Sequence, residues 1–401
     1  MQMIESGNVA AALGVKLSRA QVIAAYPITP QTPLTEKLSE FIEAGDMSAE
    51  YIPVESEHSA LAVCIASSSA GARSFTATSA NGLLYMHEQI HWASGARLPI
   101  VMCVVNRGVG APWTVWNDHQ DSMSQRDTGW IQIYANDHQQ IIDAVIKAYA
   151  LAEEVMIPVM VCYDGYLLSH TYMPFDIPDV SLADSFLPPY KPAYCLDPGE
   201  PANLNTVTLP DVRDDINGNR AHGYFEIRHL LQQDMIASMD ALERIDSRFK
   251  TVFGRGGNPF IESYRTDDAE FIAVGIGSLS YHLRDVVDNL RDEGISVGGM
   301  SIQLYRPFPY SAVAEALKGC RGIIVFEKAL SYGYQGPVCS DIKSALYQHG
   351  RQNSHRPFVL NYILGLGGRE IVTKDLYDAL KLSCTTGPDA PDELRWIGLK
   401  I

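Results

Sequence analysis

The sequence predicts an α/β protein with a doubly wound parallel sheet followed by a second, smaller α/β domain. Three observations carry this expectation. Apolar runs such as "QVIAAYP", "LPIVMCVVN" and "VMIPVMVCYDG" are nearly continuous in Val, Ile and Met, as strands buried on both faces of a parallel sheet must be. Helical stretches separate them. A second alternation of the same kind starts near residue 268, beyond a proline-rich interval. With 401 residues the chain exceeds one simple core, so two or three domains are expected.

The elements follow in order. "QVIAAYP" reads as a strand and "QTPLTEKLSEFIEAG" as a helix ending at Gly45. "EYIPVES" is a short strand, "EHSALAVCIASSSAGA" a helix, "RSFTATS" a strand and "GLLYMHEQIHWASG" one helix. "LPIVMCVVN", "WIQIYAN", "QQIIDAVIKAYALAEE" and "VMIPVMVCYDG" complete a domain over 1–165. From 166 to about 222 the chain is proline-rich with little periodicity, which suits an extended arm over a surface. The amphipathic helix "YFEIRHLLQQDMIASMDALERIDSRFKTVF" extends this connector to 267. Residues 268–401 then read as strand, turn and helix in "AEFIAVGIGSLSYHLRDVVDNLRDEG". One strand with a proline stop follows in "ISVGGMSIQLYRPFP", and "CRGIIVFEK", "GPVCSDIKSALYQHG" and "RPFVLNYILGLGG" complete the domain.

Composition excludes several classes. The formal charge of −16 argues against a nucleic-acid partner, which needs basic patches. No apolar run approaches the ~20 residues that span a bilayer, and the first residues lack the basic start of a signal peptide, so a cytoplasmic protein is expected. Seven cysteines, most inside apolar runs and none in a C-x-x-C pair, read as reduced core residues. They offer no signature for an iron–sulfur cluster or a structural zinc.

Several stretches could carry chemistry. "VIAAYPITPQTPL" stops a buried strand with Pro27, Pro30 and Pro33 around Ile28 and Thr29. Proline fixes φ, so this is a stiff turn at the carboxyl end of a strand, where α/β proteins place ligands. Glu57 opens a helix; it either favours the helix dipole or is a carboxylate part-buried at a cleft and suited to proton exchange. Arg107 follows a buried strand; it either faces water or joins Thr29 as an anion clamp for a carboxylate. "HEQIH", His87 to His91, matches the H-E-x-x-H pattern of zinc peptidases, but Ser94 and Arg97 stand where its extended form needs glycine and histidine. "GIGSLS" lacks the third glycine of a dinucleotide fingerprint, since Ser280 stands there, and "GLGGRE" at 365–370 is weaker still. "WNDHQDSMSQRDTGW" reads as a loop at one edge of the sheet, whose flanking Trp113, Trp116 and Trp130 suit a pocket wall or subunit contact.

Together "YPITPQT", Ser56-Glu57, "SGARLPIVMCVVNR", "WNDHQDSMSQRDTGW", "DGYLLSHT" and "YRPFP" resemble the α subunit of pyruvate:ferredoxin oxidoreductase (pyruvate synthase), within the 2-oxoacid:ferredoxin oxidoreductases. The resemblance runs the whole chain in one order. It implies a thiamine-diphosphate pyrimidine-binding domain followed by a transketolase C-terminal-like domain. It also implies an assembly: a β subunit carrying thiamine diphosphate and Mg2+, γ- and δ-type subunits with [4Fe-4S] clusters, ferredoxin as acceptor, coenzyme A as co-substrate, and two copies of each subunit. By resemblance Glu57 matches the glutamate that hydrogen-bonds the aminopyrimidine N1′. Thr29 and Arg107 match the residues that hold the substrate carboxylate and carbonyl. Pro27 and Ile28 belong to the cofactor-binding turn, and Asp118 and His119 match a loop near the site without an assigned role. Branched-chain relatives share "AAYPITPQT", whereas oxalate-using relatives replace the threonine by arginine. Pyruvate is the expected substrate, since a small 2-oxoacid needs the clamp and little side-chain room. A branched-chain 2-oxoacid and a non-catalytic scaffold subunit are the alternatives.

Overall fold

A computed structural model describes residues 1–192, 213–214, 220–221, 223–349, 357–387 and 394–401. In chain order the first half contains β1 (Gln2–Ser6), α1 (Gly7–Leu17), β2 (Val22–Ala25), α2 (Thr32–Glu43), β3 (Glu50–Pro53), α3 (Glu57–Ser69), β4 (Ser74–Thr78), α4 (Ala80–Tyr85), α5 (His87–Gly95), β5 (Val101–Asn106), α6 (Gln120–Met123), β6 (Ile131–Tyr134), α7 (His138–Val155) and β7 (Val159–Asp164). Every residue of β4, β5, β6 and β7 is buried, which is why these strands lack a polar face. Side-chain caps start several helices. Ser6 Oγ accepts from Val9 N ahead of α1, Ser56 Oγ from Ser59 N ahead of α3, and Asp137 Oδ1 from Gln140 N ahead of α7.

The second half continues with β8 (Tyr172–Asp176), α8 (Val180–Phe186), β9 (Arg213–Asp214), β10 (Arg220–Ala221), α9 (Tyr224–Phe253), β11 (Ile261–Tyr264), β12 (Phe271–Gly275), α10 (Leu279–Asp292), β13 (Val297–Ile302), β14 (Leu304–Arg306), α11 (Tyr310–Ala316), β15 (Gly322–Glu327), α12 (Pro337–His349), β16 (Phe358–Ile363), a 3₁₀ turn (Leu366–Gly368), α13 (Thr373–Thr386) and β17 (Arg395–Trp396). The larger sheet has the order β3-β2-β4-β5-β7-β6-β14, parallel except for β14. The smaller has the order β11-β13-β12-β15-β16-β17, parallel except for β11. The chain is thus a mixed α/β protein with two doubly wound sheets, as the Val/Ile runs predict. Among the described residues no helix is long and apolar enough to cross a membrane.

Four expectations are corrected. The stretch "GLLYMHEQIHWASG" is two helices, α4 and α5, that break at Met86. "ISVGGMSIQLYRPFP" is two strands: β13 lies inside the smaller sheet, while β14 pairs antiparallel with β6 at the edge of the larger one. The proline-rich arm is regular at its start. There β8 pairs with β1 along its full length and Phe186 of α8 packs edge-on against Phe249 of α9, their ring centroids 5.2 Å apart. The Asp- and Gln-rich loop is largely interior. Asn117, Asp118, His119, Asp121 and Ser122 are buried because each finds polar partners described below. The six cysteines among the described residues are buried and form no disulfide, and Cys195 lies outside those residues, as do "AYCLDPGEPANL" and "LPDV" of the arm.

One buried carboxylate fixes α12 to the smaller sheet. Glu327, last in β15, accepts from Val338 N at 2.9 Å, Cys339 N at 3.2 Å and Asn361 Nδ2 at 2.7 Å. Burial nevertheless pushes its pKa up to about 8. The folded chain therefore keeps a proton that the unfolded chain loses in the ordinary carboxylate range. The stability associated with this group falls as pH rises through that interval toward 8. Melting temperatures between pH 5 and pH 8.5 are expected to fall less steeply in Glu327→Gln than in the parent; identical slopes would show that Glu327 ionises freely.

Candidate active site

The functional side chains gather at the carboxyl edge of the larger sheet, where β2, β3, β4 and β5 end. At the end of β2, the turn is held by Gln31 N and Thr32 N donating to Ile28 O at 2.8 and 3.2 Å. Asn8 Nδ2 donates to Pro30 O at 2.9 Å, and Tyr163 OH donates to Asn8 Oδ1 at 2.9 Å. This buried pair anchors the turn from below, so Pro27 and Thr29 remain exposed and Ile28 half-buried.

Arg107, directly after β5, meets that turn. Its Nη1 donates to Thr29 O at 2.8 Å and its Nε to Thr114 O at 2.7 Å. The guanidinium lies 5.6 Å from the Trp113 ring centroid. These contacts fix the guanidinium plane and leave Nη2 unengaged by the described residues. Only 6% of Arg107 is exposed, and that burial draws its pKa below the ordinary arginine value. The structure therefore brings Thr29 and Arg107 together, and among the described residues the guanidinium has no carboxylate partner.

Glu57 is the first residue of α3, 8% exposed, behind its Ser56 cap. Its carboxylate has no hydrogen-bond partner among the described residues. It sits over Gly82 of α4: a Cβ there would lie 2.5 Å from Glu57 Oε1 and 2.7 Å from Thr78 Oγ1. Only glycine allows this approach. Thr78 Oγ1 is itself buried, with no partner among the described residues. Glu57 makes no direct contact with Arg107, and one residue links their supports. Asp121 Oδ2 accepts from Arg107 N and Ala80 N, both at 2.9 Å, while Oδ1 accepts from Asn106 Nδ2 and Ser122 N, both at 2.8 Å. Burial pushes the Asp121 carboxyl up to about 6, against the pull of these donors.

Behind this edge lies a buried ionic cluster. Asp164, at the end of β7, accepts from Lys328 Nζ at 3.0 Å, Ser278 N at 3.1 Å and the Ser278 hydroxyl; His119 Nε2 lies 2.5 Å from its other oxygen. Burial alone would raise the Asp164 pKa, but Lys328 and His119 hold it well below the usual carboxylate range. Asp118 Oδ1 accepts from Gln120 N at 2.9 Å and Oδ2 from Gly367 N at 2.8 Å. Sequence reading found no role for Gly82, Asp121 or Lys328. A glycine in "SANGLLY" and a lysine after the strand "GIIVFE" are the slight signals they leave.

The other motifs assemble no site. His87 and His91 pack edge-on with ring centroids 4.9 Å apart, and His87 Nδ1 lies 2.7 Å from Gln125 Oε1. Among the described residues no group of three His, Cys, Asp or Glu is arranged to hold a metal ion. "GIGSLS" forms the tight turn from β12 to α10.

Comparisons with known proteins identify the family. The family model "pyruvate flavodoxin/ferredoxin oxidoreductase, thiamine diP-binding" matches residues 14–235, and "pyruvate:ferredoxin oxidoreductase core domain II" matches 269–376. The ketoisovalerate oxidoreductase subunit VorA of Pyrococcus abyssi is 43% identical over 94% of this chain and 92% of its own. The pyruvate synthase subunit PorA of the same organism is 42% identical over 100% of this chain and 98% of its own. A solved 2-oxoglutarate:ferredoxin oxidoreductase from Magnetococcus marinus superposes with a TM-score of 0.70 over 96% of this chain and 65% of that one, at 19% identity. A split-gene transketolase superposes with a TM-score of 0.52, at 12% identity, over 95% of this chain and 98% of that one. With its full-length likeness to PorA and VorA and its thiamine-diphosphate-binding-type domain, the chain belongs to the 2-oxoacid:ferredoxin oxidoreductase family as a homologue of the α subunits.

Proposed function

We propose that this chain is the α subunit of a pyruvate:ferredoxin oxidoreductase, converting pyruvate, coenzyme A and oxidised ferredoxin to acetyl-CoA, CO2 and reduced ferredoxin, reversibly. The observation that carries the reading is the junction of Arg107 with Thr29, 2.8 Å from Nη1 to the carbonyl, on the same sheet edge as the Glu57 carboxylate, which has no hydrogen-bond partner among the described residues. The residues present fit the pyrimidine end of thiamine diphosphate. Glu57 lies over a glycine that leaves it open, and Pro27 and Ile28 present exposed and half-buried surface beside it in sheet order. Thiamine diphosphate, when bound, supplies the carbon nucleophile and the electron sink for loss of CO2. Glu57 exchanges a proton with the pyrimidine N1′. Arg107 holds the substrate carboxylate through Nη2, and the Thr29 hydroxyl faces the substrate carbonyl. In this reading Mg2+ and the diphosphate sit on a β subunit, [4Fe-4S] clusters on γ- and δ-type subunits, and the assembly is cytoplasmic with two copies of each chain.

Ketoisovalerate is the second reading, because VorA and PorA relatives match this chain at 43% and 42% identity. Relative kcat/KM for pyruvate and ketoisovalerate, measured on the assembled enzyme, decides between them; a higher value for ketoisovalerate would replace pyruvate in the proposal.

Three outcomes test the site. Glu57→Gln keeps the shape of the side chain and loses the exchangeable proton, so turnover should fall by about 10² to 10⁴ with assembly intact. Turnover near that of the parent would remove Glu57 from the chemistry and favour a scaffold role. Arg107→Ala should raise KM for the 2-oxoacid and lower kcat/KM by roughly ten- to a hundredfold, with unchanged thiamine content, since a charge-assisted contact contributes about 1.5–3 kcal/mol. Finally, the isolated chain should be colourless, bind thiamine diphosphate weakly in calorimetry, and oxidise no 2-oxoacid. Tight stoichiometric binding would place a whole site on this chain.

A further inference from the structure

The glycine run at 365–368 and the buried Asp118 take no part in the reading above. We infer that together they form a positioning device for Arg107, in which the turn after β16 fixes the loop on which the guanidinium rests. This inference rests on the assignment of Arg107 to the substrate carboxylate.

The contacts form a continuous path. Arg107 Nε donates to Thr114 O at 2.7 Å, so the guanidinium plane follows the backbone at 114. That loop closes on itself through Gly108 N to Trp116 O at 2.9 Å and Trp116 N to Thr114 Oγ1 at 3.2 Å. Its outer side is held by the other sheet. Gly367 N donates to Asp118 Oδ2 at 2.8 Å, Gly368 N donates to Asn117 O at 2.8 Å, and Thr114 Oγ1 reaches Gly367 O at 3.4 Å. The joint has no slack. A Cβ at Gly108, adjacent to Arg107, would lie 2.7 Å from Thr114 Cγ2, 3.0 Å from Asp118 Oδ2 and 3.4 Å from Gly367 Cα. A Cβ at Gly368 would lie 2.2 Å from Trp116 Cβ. Gly367 and Gly368 also adopt φ of +57° and +78°, a region that suits glycine.

Asp118 suits this task. Gln120 N occupies Oδ1, so Oδ2 is free for the Gly367 N–H, and the buried Asp118 carboxylate needs both donors to offset its lost hydration. An amide at 118 can accept only one of them and must turn its own N–H toward the other. The turn would then release the outer side of the loop, and with it the Thr114 carbonyl that orients Arg107. Small misplacement of a clamp weakens its hold on the substrate, because a charge-assisted contact depends on aligned donors.

A double-mutant cycle on the assembled enzyme tests this, with thiamine diphosphate, Mg2+ and either pyruvate or ketoisovalerate as substrate. Asp118→Asn should raise KM about fivefold with kcat changed by less than about twofold, and Asp118→Asn with Arg107→Ala together should match Arg107→Ala alone. An unchanged KM in Asp118→Asn, or losses that add in the double variant, would overturn the inference while leaving Arg107 in place. No effect of Arg107→Ala would instead overturn the reading of Arg107, and this inference with it. Should Asp118→Asn fail to assemble, Gly368→Ala enters the same cycle from the other side of the joint. Failure of both to assemble would mark the joint as a folding element and overturn its positioning role.

Discussion

The Asp164 carboxylate is the constraint on which the arrangement of the two sheets depends. It ends β7 of the larger sheet, yet most of its partners come from the smaller one: Lys328 after β15 and Ser278 after β12. His119, from the loop after β5, takes its other oxygen. A buried carboxylate without partners would be too costly to keep ionised, so the fold has to deliver the cation and the hydroxyl together. Removing the lysine would leave an uncompensated charge in the interior. The two sheets therefore meet in one register, and the loop 107–119 is caught between them.

That trapping explains how a long irregular segment can carry a precise group. Loops are usually mobile and solvated. Here Asp121 ties the backbone of Arg107 to the start of α4, and α4 in turn presents Gly82 beneath Glu57. A change at one support is felt at the other, since both share one carboxylate. The candidate site is better described as two side chains on a common bracket than as separate residues that happen to face one cleft.

Much of the fold was legible because it rests on local signals. Val/Ile runs separated by helical stretches identify buried parallel strands, and strand ends identify where polar groups emerge. Thr29 and Arg107 were legible in that sense, each placed by its own strand. Asp121, Gly82 and Lys328 were not. Their partners lie tens or hundreds of residues away, and neither periodicity nor residue type encodes a contact between Lys328 and Asp164. The burial of the charged loop was hidden for the same reason. Asp, His and Gln signal solvent unless tertiary partners exist, and here they do. The division of "SIQLYRPFP" between two sheets was also hidden, because a strand's sequence does not state which neighbour it will pair with.

That division has a consequence for how the protein holds together. With β14 in place, the outer edge of β6 is no longer a bare row of backbone donors and acceptors. A chain cut between the two sheets would lose this cover and the Lys328 charge at once. Its larger sheet would then expose an unpaired edge and, a strand away, an uncompensated carboxylate. The two halves are thus better regarded as a single cooperative unit than as modules that could be exchanged between proteins.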